Sequence, residues 1–342
     1  MTTYIIRRLL LVIPTFIGIT MLVFAITRFL PGGPVEQMLA EARQANIESG
    51  KGAQGPGSGA GDGLSKEQRE QLNKRFGLDK PYLSAYFSWL GGILTGDFGE
   101  SYRYNEPVLD TIASKMPISI FYGLLTMFFT YGICIPLGIV KALHHRTIID
   151  NSSSIFIFLG YALPNYVVGT MLIFIFAGYW EIFPLGEFKS FEYDDLSFWG
   201  KFMNIVSHAV LPTIAYVAGS LALRSMLMKN SLMDNLAADY VRTALAKGNS
   251  FKEAIFKHAF KNSLIPIATS FGNNITLIIA GSFLVETVFN IDGFGLLGYE
   301  ALLARDYPIV MGVIALSSLL SLIGNILSDI CVALVDPRVK FE

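Results

Sequence analysis

The side chains whose type and spacing could carry chemistry fall into two groups, one in a basic stretch between apolar runs and one inside the runs. The basic stretch, residues 239–266, reads DYVRTALAKGNSFKEAIFKHAFKNSLIP. Gly248 is placed to end a first short helix in a left-handed cap, and Ser250 with Glu253 three residues on has the pattern of a capping box that opens a second. Phe251, Ile255 and Ala259 recur at four-residue spacing with Phe256 and Phe260 beside them, while Lys252, Lys257 and Lys261 mark a wet face. Two helices and a hinge with an apolar face imply a partner or a membrane surface. An ordinary cytoplasmic loop helix is the plainer reading of the same spacing.

The second group is polar residues within apolar runs, each costly in hydrocarbon unless it faces protein or a water-filled path. Asn165 follows Pro164 in the third run, Asn273 and Asn274 sit a turn inside the fifth, and Glu286 lies at its outer end. Ser317, Ser318, Ser321 and Asn325 stripe one side of the sixth. They line an aqueous route or join helices by hydrogen bonds. Glu286 also has Arg305 within reach of its loop, and Asp329 suits an interfacial partner of a basic residue.

Catalytic patterns are wanting. No run of the form GxxxxGK[ST] occurs, so this chain has no P-loop of its own. Residues 293–298 match GxGxxG, but no strand precedes them and no acid follows on a βαβ unit. No HExxH occurs, and His144, His145, His208 and His258 are scattered over loops and runs, which argues against a metal cage. Without a nucleophile, metal or acid pair at a shared depth, an enzyme is not expected.

The elements that must position these residues are transmembrane helices. Of 342 residues 52% are hydrophobic and 15% charged, and the mean hydropathy is +0.49, too apolar for a soluble globule. Net charge is −1, so no overall field favours nucleic acid. Cys134 and Cys331 both fall in apolar runs and give neither a disulfide framework nor a metal pattern.

Residues 9–27 carry no charge and follow Arg7 and Arg8; the length of the run and the absence of a small-residue cleavage site favour a retained helix over a signal peptide. Five more runs, 118–140, 154–180, 202–223, 262–285 and 307–328, are long enough to cross, which makes six transmembrane helices. Pro136, Pro164, Pro212 and Pro266 lie inside them, so kinks are expected.

Residues 31–117 form a long polar excursion with a flexible Gly-rich linker at 50–63, a helix candidate at 65–75 and aromatic residues Tyr82, Tyr86 and Trp89 at helical spacing. The loop from 224 to 261 carries seven Lys and Arg, whereas 181–207 carries two against five acids. Both termini are therefore expected in the cytoplasm. The division that follows is 1–30 as a cytoplasmic stub and first helix, 31–117 as an external cap domain, and 118–342 as a core of five helices with a cytoplasmic segment at 235–262.

With the segments in place, the chain resembles the B-type permease subunits of oligopeptide and dipeptide ATP-binding-cassette importers over nearly its whole length. The resemblance is carried in order by Arg7-Arg8, Pro31-Gly32-Gly33-Pro34, Phe76-Gly77-Leu78-Asp79-Lys80-Pro81, Gly96-Asp97-Phe98-Gly99-Glu100-Ser101, Ile135-Pro136-Leu137-Gly138 and Ala162-Leu163-Pro164. It continues through His208-Ala209-Val210-Leu211-Pro212, Val285-Glu286-Thr287-Val288-Phe289, Arg305-Asp306-Tyr307-Pro308 and Asp336-Pro337-Arg338. Pro-Gly-Gly-Pro and the length of the external loop are most similar to the subgroup associated with microcin-C-type peptide uptake.

The resemblance implies an all-α integral membrane protein with the type I importer permease fold: six transmembrane helices and a small external cap between the first two. It implies a coupling helix between the fourth and fifth spans, marked in the family by Glu-Ala-Ala, three residues, then Gly. Here the positions read Arg242-Thr243-Ala244 and Gly248, so the glycine matches and the acid does not. ATPase coupling is thereby carried to Tyr240, Arg242, Thr243, Ala244, Gly248, Ser250 and Glu253. Asn165, Asn273, Asn274, Glu286, Ser317 and Ser321 become candidates for the translocation path.

The implied assembly has a homologous second permease, two cytoplasmic ATPases and an external solute-binding protein, in a bacterial inner membrane. This chain would bind no cofactor, ATP and Mg being used by the ATPases. The cargo implied is a short peptide. A nickel importer permease of the same family, and a secondary transporter with Glu286 as its ion site, are the alternatives.

Overall fold

Long helices follow from the long apolar runs, because a backbone in lipid must satisfy its own N–H and C=O groups. The computed structural model describes residues 2–29, 70, 79–271 and 282–335. Outside them lie the Pro31 to Pro34 turn, the 50–63 linker, the 65–75 helix candidate apart from Glu70, Phe76 to Leu78, Asn273, Asn274 and Asp336 to Arg338. The described residues divide into two units, one drawn from Met1–Val12, Lys115–Leu297 and Ser317–Glu342, the other from Ile13–Ser114 and Gly298–Leu316.

In the second unit the outer part of α1 (Thr2–Phe29) carries α2 (Tyr82–Leu94) along its side. The aromatic spacing explains the packing: Tyr82, Tyr86 and Trp89 all surround Phe24, with ring centroids 5.6, 5.6 and 6.0 Å away. Their polar tips are spent on α1, since Tyr82 OH donates to Met21 O at 2.7 Å and Tyr86 OH shares a 2.9 Å hydrogen bond with Thr20 Oγ1. Residues 95–107 then form a tight hairpin-like loop with one isolated bridge between Glu100 and Pro107. Asp306 ties it down, accepting from the Ser101 hydroxyl and from Arg103 N–H.

The first unit holds most of α3 (Val108–Leu143), α4 (Ile148–Ala162), α5 (Asn165–Leu172, extended by a π-helical turn Ile173–Tyr179) and α6 (Phe198–Ala237). Pro136 and Pro212 stay inside continuous helices, whereas Pro164 breaks the third run into halves bent by 100°. The kink expected in that run is thus a full corner, and the break itself is local. Proline drives the residue before it out of the α region, and Leu163 lies at φ −94°, ψ 137°.

Small residues let these helices touch. A Cβ on Gly138 would stand 2.6 Å from Met228 Cβ, one on Gly160 3.3 Å from Ala218 O, and one on Gly169 2.9 Å from the Phe289 ring. Among the described residues, four helices are long and apolar enough to cross a membrane, with α4 and α5 as a fifth, bent, candidate. Of the expected fifth run, only residues up to 271 and from 282 are described.

Candidate functional site

α6 runs 14 residues past the apolar stretch that ends at Leu223 and stops at Ala237, where Ala238 turns the chain with φ −71°, ψ 148°. There α7 (Asp239–Ala246) begins. Gly248 has φ +91°, a conformation that costs glycine little and other residues more. Its N–H donates to Leu245 O at 2.9 Å and the next, from Asn249, to Ala244 O at 3.3 Å, the paired bonds of a Schellman cap. Two residues later Ser250 Oγ accepts from Glu253 N–H at 3.3 Å while Glu253 Oε2 accepts from Ser250 N–H at 3.1 Å. The expected hinge is present as two complete caps back to back.

α8, residues 251–263, is a short helix Phe251–Glu253, a π-helical turn Ala254–Ala259 and a last turn Phe260–Ser263. Of the face expected from four-residue spacing, Ile255 and Ala259 are buried, with Ala254 and Ser263 beside them, while Phe251, at the first position of the helix, is 58% exposed. Val241 of α7 belongs to the same buried cluster, with Ala142 at the end of α3 and Met228 and Leu232 of α6, and Ala244 of α7 is buried as well.

Polar bonds close the segment on itself. Asn262 Nδ2 donates to Tyr240 OH at 3.1 Å, Tyr240 OH donates to Asn235 Oδ1, and Ser263 Oγ reaches Ser231 O at 3.4 Å. The side turned away from the seat shows Tyr240, Arg242, Thr243, Leu245, Phe251 and Phe256. Arg242, where an acid was the family's pattern, pairs loosely with Asp239 at 3.7 Å. Glu253 holds Lys257 at 3.2 Å, and its carboxyl lies below the ordinary range because of the Ser250 N–H, Lys257 and the Ser250 hydroxyl. Of the seven coupling candidates, Ala244 alone is turned into the protein.

The translocation candidates are engaged separately. Asn165 packs so closely on α6 that a Cβ on Gly219 would stand 2.2 Å from its Oδ1. Ser317 and Ser321 are half-buried on α11 (Tyr307–Val335), and Asn273 and Asn274 lie outside the described residues. Glu286, in α9 (Phe283–Val288), is buried. Its Oε2 accepts from Leu296 N–H at 2.6 Å and its Oε1 from Ser119 Oγ at 3.3 Å; Ser119 Oγ in turn accepts from Phe294 N–H at 2.8 Å. The carboxylate and the serine thus satisfy the first amides of α10 (Phe294–Leu303). Residues 293–298, which look like a dinucleotide motif, have glycine at 293 because a Cβ there would meet the Glu286 carboxylate at 2.6 to 2.8 Å.

A cluster beside this two-helix segment escaped the sequence. Asp150, in the first turn of α4, accepts from Lys229 Nζ of α6 at 2.8 and 2.7 Å and lies 3.0 Å from Lys141 Nζ of α3. Lys141 also donates to Asp150 O, Ser153 Oγ and Ser154 Oγ. All three charged residues are buried. A lysine and an aspartate nine residues apart across a short turn hint at pairing, but Lys229, 79 residues further on, carries no signal that points back to Asp150.

Residues 134–341 match the family described as binding-protein-dependent transport system inner membrane component. Over its whole length the chain is 39% identical to all of the inner membrane ABC transporter permease protein YejB of Escherichia coli. It is 37% identical to the peptidoglycan transport system permease protein YejB of Agrobacterium fabrum, all of this chain against 99% of that one. It is 32% identical, end to end, to the dipeptide transport system permease protein DppB of Escherichia coli.

Proposed function

The chain belongs to the family of binding-protein-dependent transport system inner membrane components, and from that premise we propose that it admits short peptides to the cytoplasm, drawing on ATP hydrolysed by separate subunits. It is a multi-pass inner membrane permease subunit of an ATP-binding-cassette importer, not an enzyme. The relatives named for dipeptide and peptidoglycan transport support the peptide cargo, and a peptidoglycan-derived or microcin-C-type peptide is the finer reading. No cofactor is assigned to this chain; ATP and Mg belong to the ATPases.

The observation that carries the mechanism is the coupling segment: capped at both sides of Gly248, seated by its small residues, and offering Tyr240, Leu245, Phe251 and Phe256 outward. An ATPase groove would receive that outward face. When two ATPases close on ATP, the segment would move as a lever on α6 and on residues 265–271, re-aiming the spans between inward- and outward-open states. A second permease would complete the path, with Asn165, Glu286, Ser317 and Ser321 as its candidates in this chain, and a binding protein would deliver peptide from outside. In this reading both termini are cytoplasmic.

The test is uptake of labelled trialanine by vesicles holding the co-purified complex. Uptake should need ATP and an intact P-loop in the partner ATPase, and should survive loss of the proton gradient. Uptake that outlasts ATP depletion and collapses with the gradient would replace this reading with an ion-driven carrier.

A further inference from the structure

The Lys141–Asp150–Lys229 cluster joins three helices at the same end as the coupling segment, and its neighbours in sequence belong to that segment's seat. Lys141 precedes Ala142, and Met228 precedes Lys229; Ala142 and Met228 belong to one buried cluster with Val241, Ala254, Ile255 and Ala259. One turn away α3 and α6 approach closely, where a Cβ on Gly138 would stand 2.6 Å from Met228 Cβ and 3.0 Å from Ser225 O. The apolar seat and the ionic cluster therefore share the same two helical turns.

Buried charges of this kind cannot part cheaply, because separating them leaves an uncompensated charge in a medium that solvates it poorly. Lys141 is fully buried and its ammonium meets four oxygens, while Lys229 is held by both oxygens of Asp150. Such an arrangement suits parts that move together.

We propose that Asp150 is a positioning residue of the transport cycle: with Lys141 and Lys229 it clamps the ends of α3, α4 and α6 into one body, so that movement of the coupling segment reaches all three helices at once. This rests on the importer reading above. It predicts that the distance between the start of α4 and the end of α6 stays constant through the ATP cycle, and that loosening the clamp dissipates hydrolysis without transport.

The informative variant is Lys229→Met, which removes the ionic tie between α4 and α6 yet leaves Lys141 and Asp150 as a neutral buried pair. Spin labels go on Ile148→Cys and Asp234→Cys, both exposed positions, with Cys134 and Cys331 replaced by alanine. The full complex in liposomes is measured nucleotide-free and vanadate-trapped, alongside trialanine moved per ATP hydrolysed. The parent should give one narrow distance, unchanged by trapping. Lys229→Met should give a broadened or shifted one and at least about fivefold less peptide per ATP, with hydrolysis retained. Lys229→Arg should restore both.

A parent distance that moves on trapping, or a Lys229→Met complex with the parent's peptide-to-ATP ratio, overturns the clamp. Failure of Lys229→Met to assemble overturns it as well, by making the cluster a folding requirement. If no ATPase co-purifies, the importer reading fails separately, and the clamp is judged from the permease alone: an equally narrow distance in parent and Lys229→Met overturns it.

Discussion

Glu286, a candidate for the translocation path, also has a structural part. A carboxylate near the end of an apolar run suggests an ion site, and here it also caps α10 through Leu296 N–H and is steadied by Ser119. Two substitutions probe this. Ser119→Ala removes a donor to Glu286 and the acceptor of the buried Phe294 N–H, and should lower stability by about 1–3 kcal/mol. Gly293→Ala thrusts a methyl onto a buried, hydrogen-bonded carboxylate and should cost about 1–3 kcal/mol. Denaturant titration of the purified protein in detergent reads both, and no loss in either would mean that α10 is held by other contacts.

At the scale of elements the coupling segment is a pair of short helices whose caps do more than their length. Gly248→Ala should cost about 1 kcal/mol from the positive φ, while Gly248→Pro, which also loses the bond to Leu245 O, should abolish ATP-driven uptake with membrane insertion intact. Ser250→Ala should weaken the opening of α8 by about 0.5–2 kcal/mol. Ala244→Glu forces an acid into a buried position of α7 and should unseat the segment and stop uptake, read in the same transport assay.

The Glu253 cap also has a pH sense. Its carboxyl is depressed in the folded protein, so its contribution is complete above the ordinary carboxylate value of about 4.3 and is lost as pH falls through the lower folded value. Hydrogen exchange of the 250–254 amides should therefore separate wild type from Glu253→Gln at pH 7, with the difference vanishing in acid. A difference that persisted in acid would assign the protection to something other than the charge.

For the whole molecule the prediction is topological. A cysteine at Glu187 should react with an impermeant thiol reagent added outside intact cells, and one at Lys247 only after the inner membrane is opened. The reverse pattern would invert the orientation drawn from Lys and Arg. Hydrophobicity and charge carry this expectation without a structure, because lipid solvates apolar side chains and Lys and Arg favour the cytoplasmic loops.

The sequence alone also determined the two caps around Gly248, since each is made by residues within six positions of one another. What it left undecided was every contact made across distance. Four-residue spacing placed Phe251 with Ile255 and Ala259, but only Ile255 and Ala259 reach the seat, and Phe251 at the helix start stays exposed. Pro164 announced a kink, but not that it would be 100° or that Gly160 and Gly169 would let the two halves pack on Ala218 and on Phe289. Lys229 looked like one more loop charge until the fold laid it on Asp150. Local pattern carries local bonds; which buried charge meets which is decided only when helices far apart in the chain pack side by side.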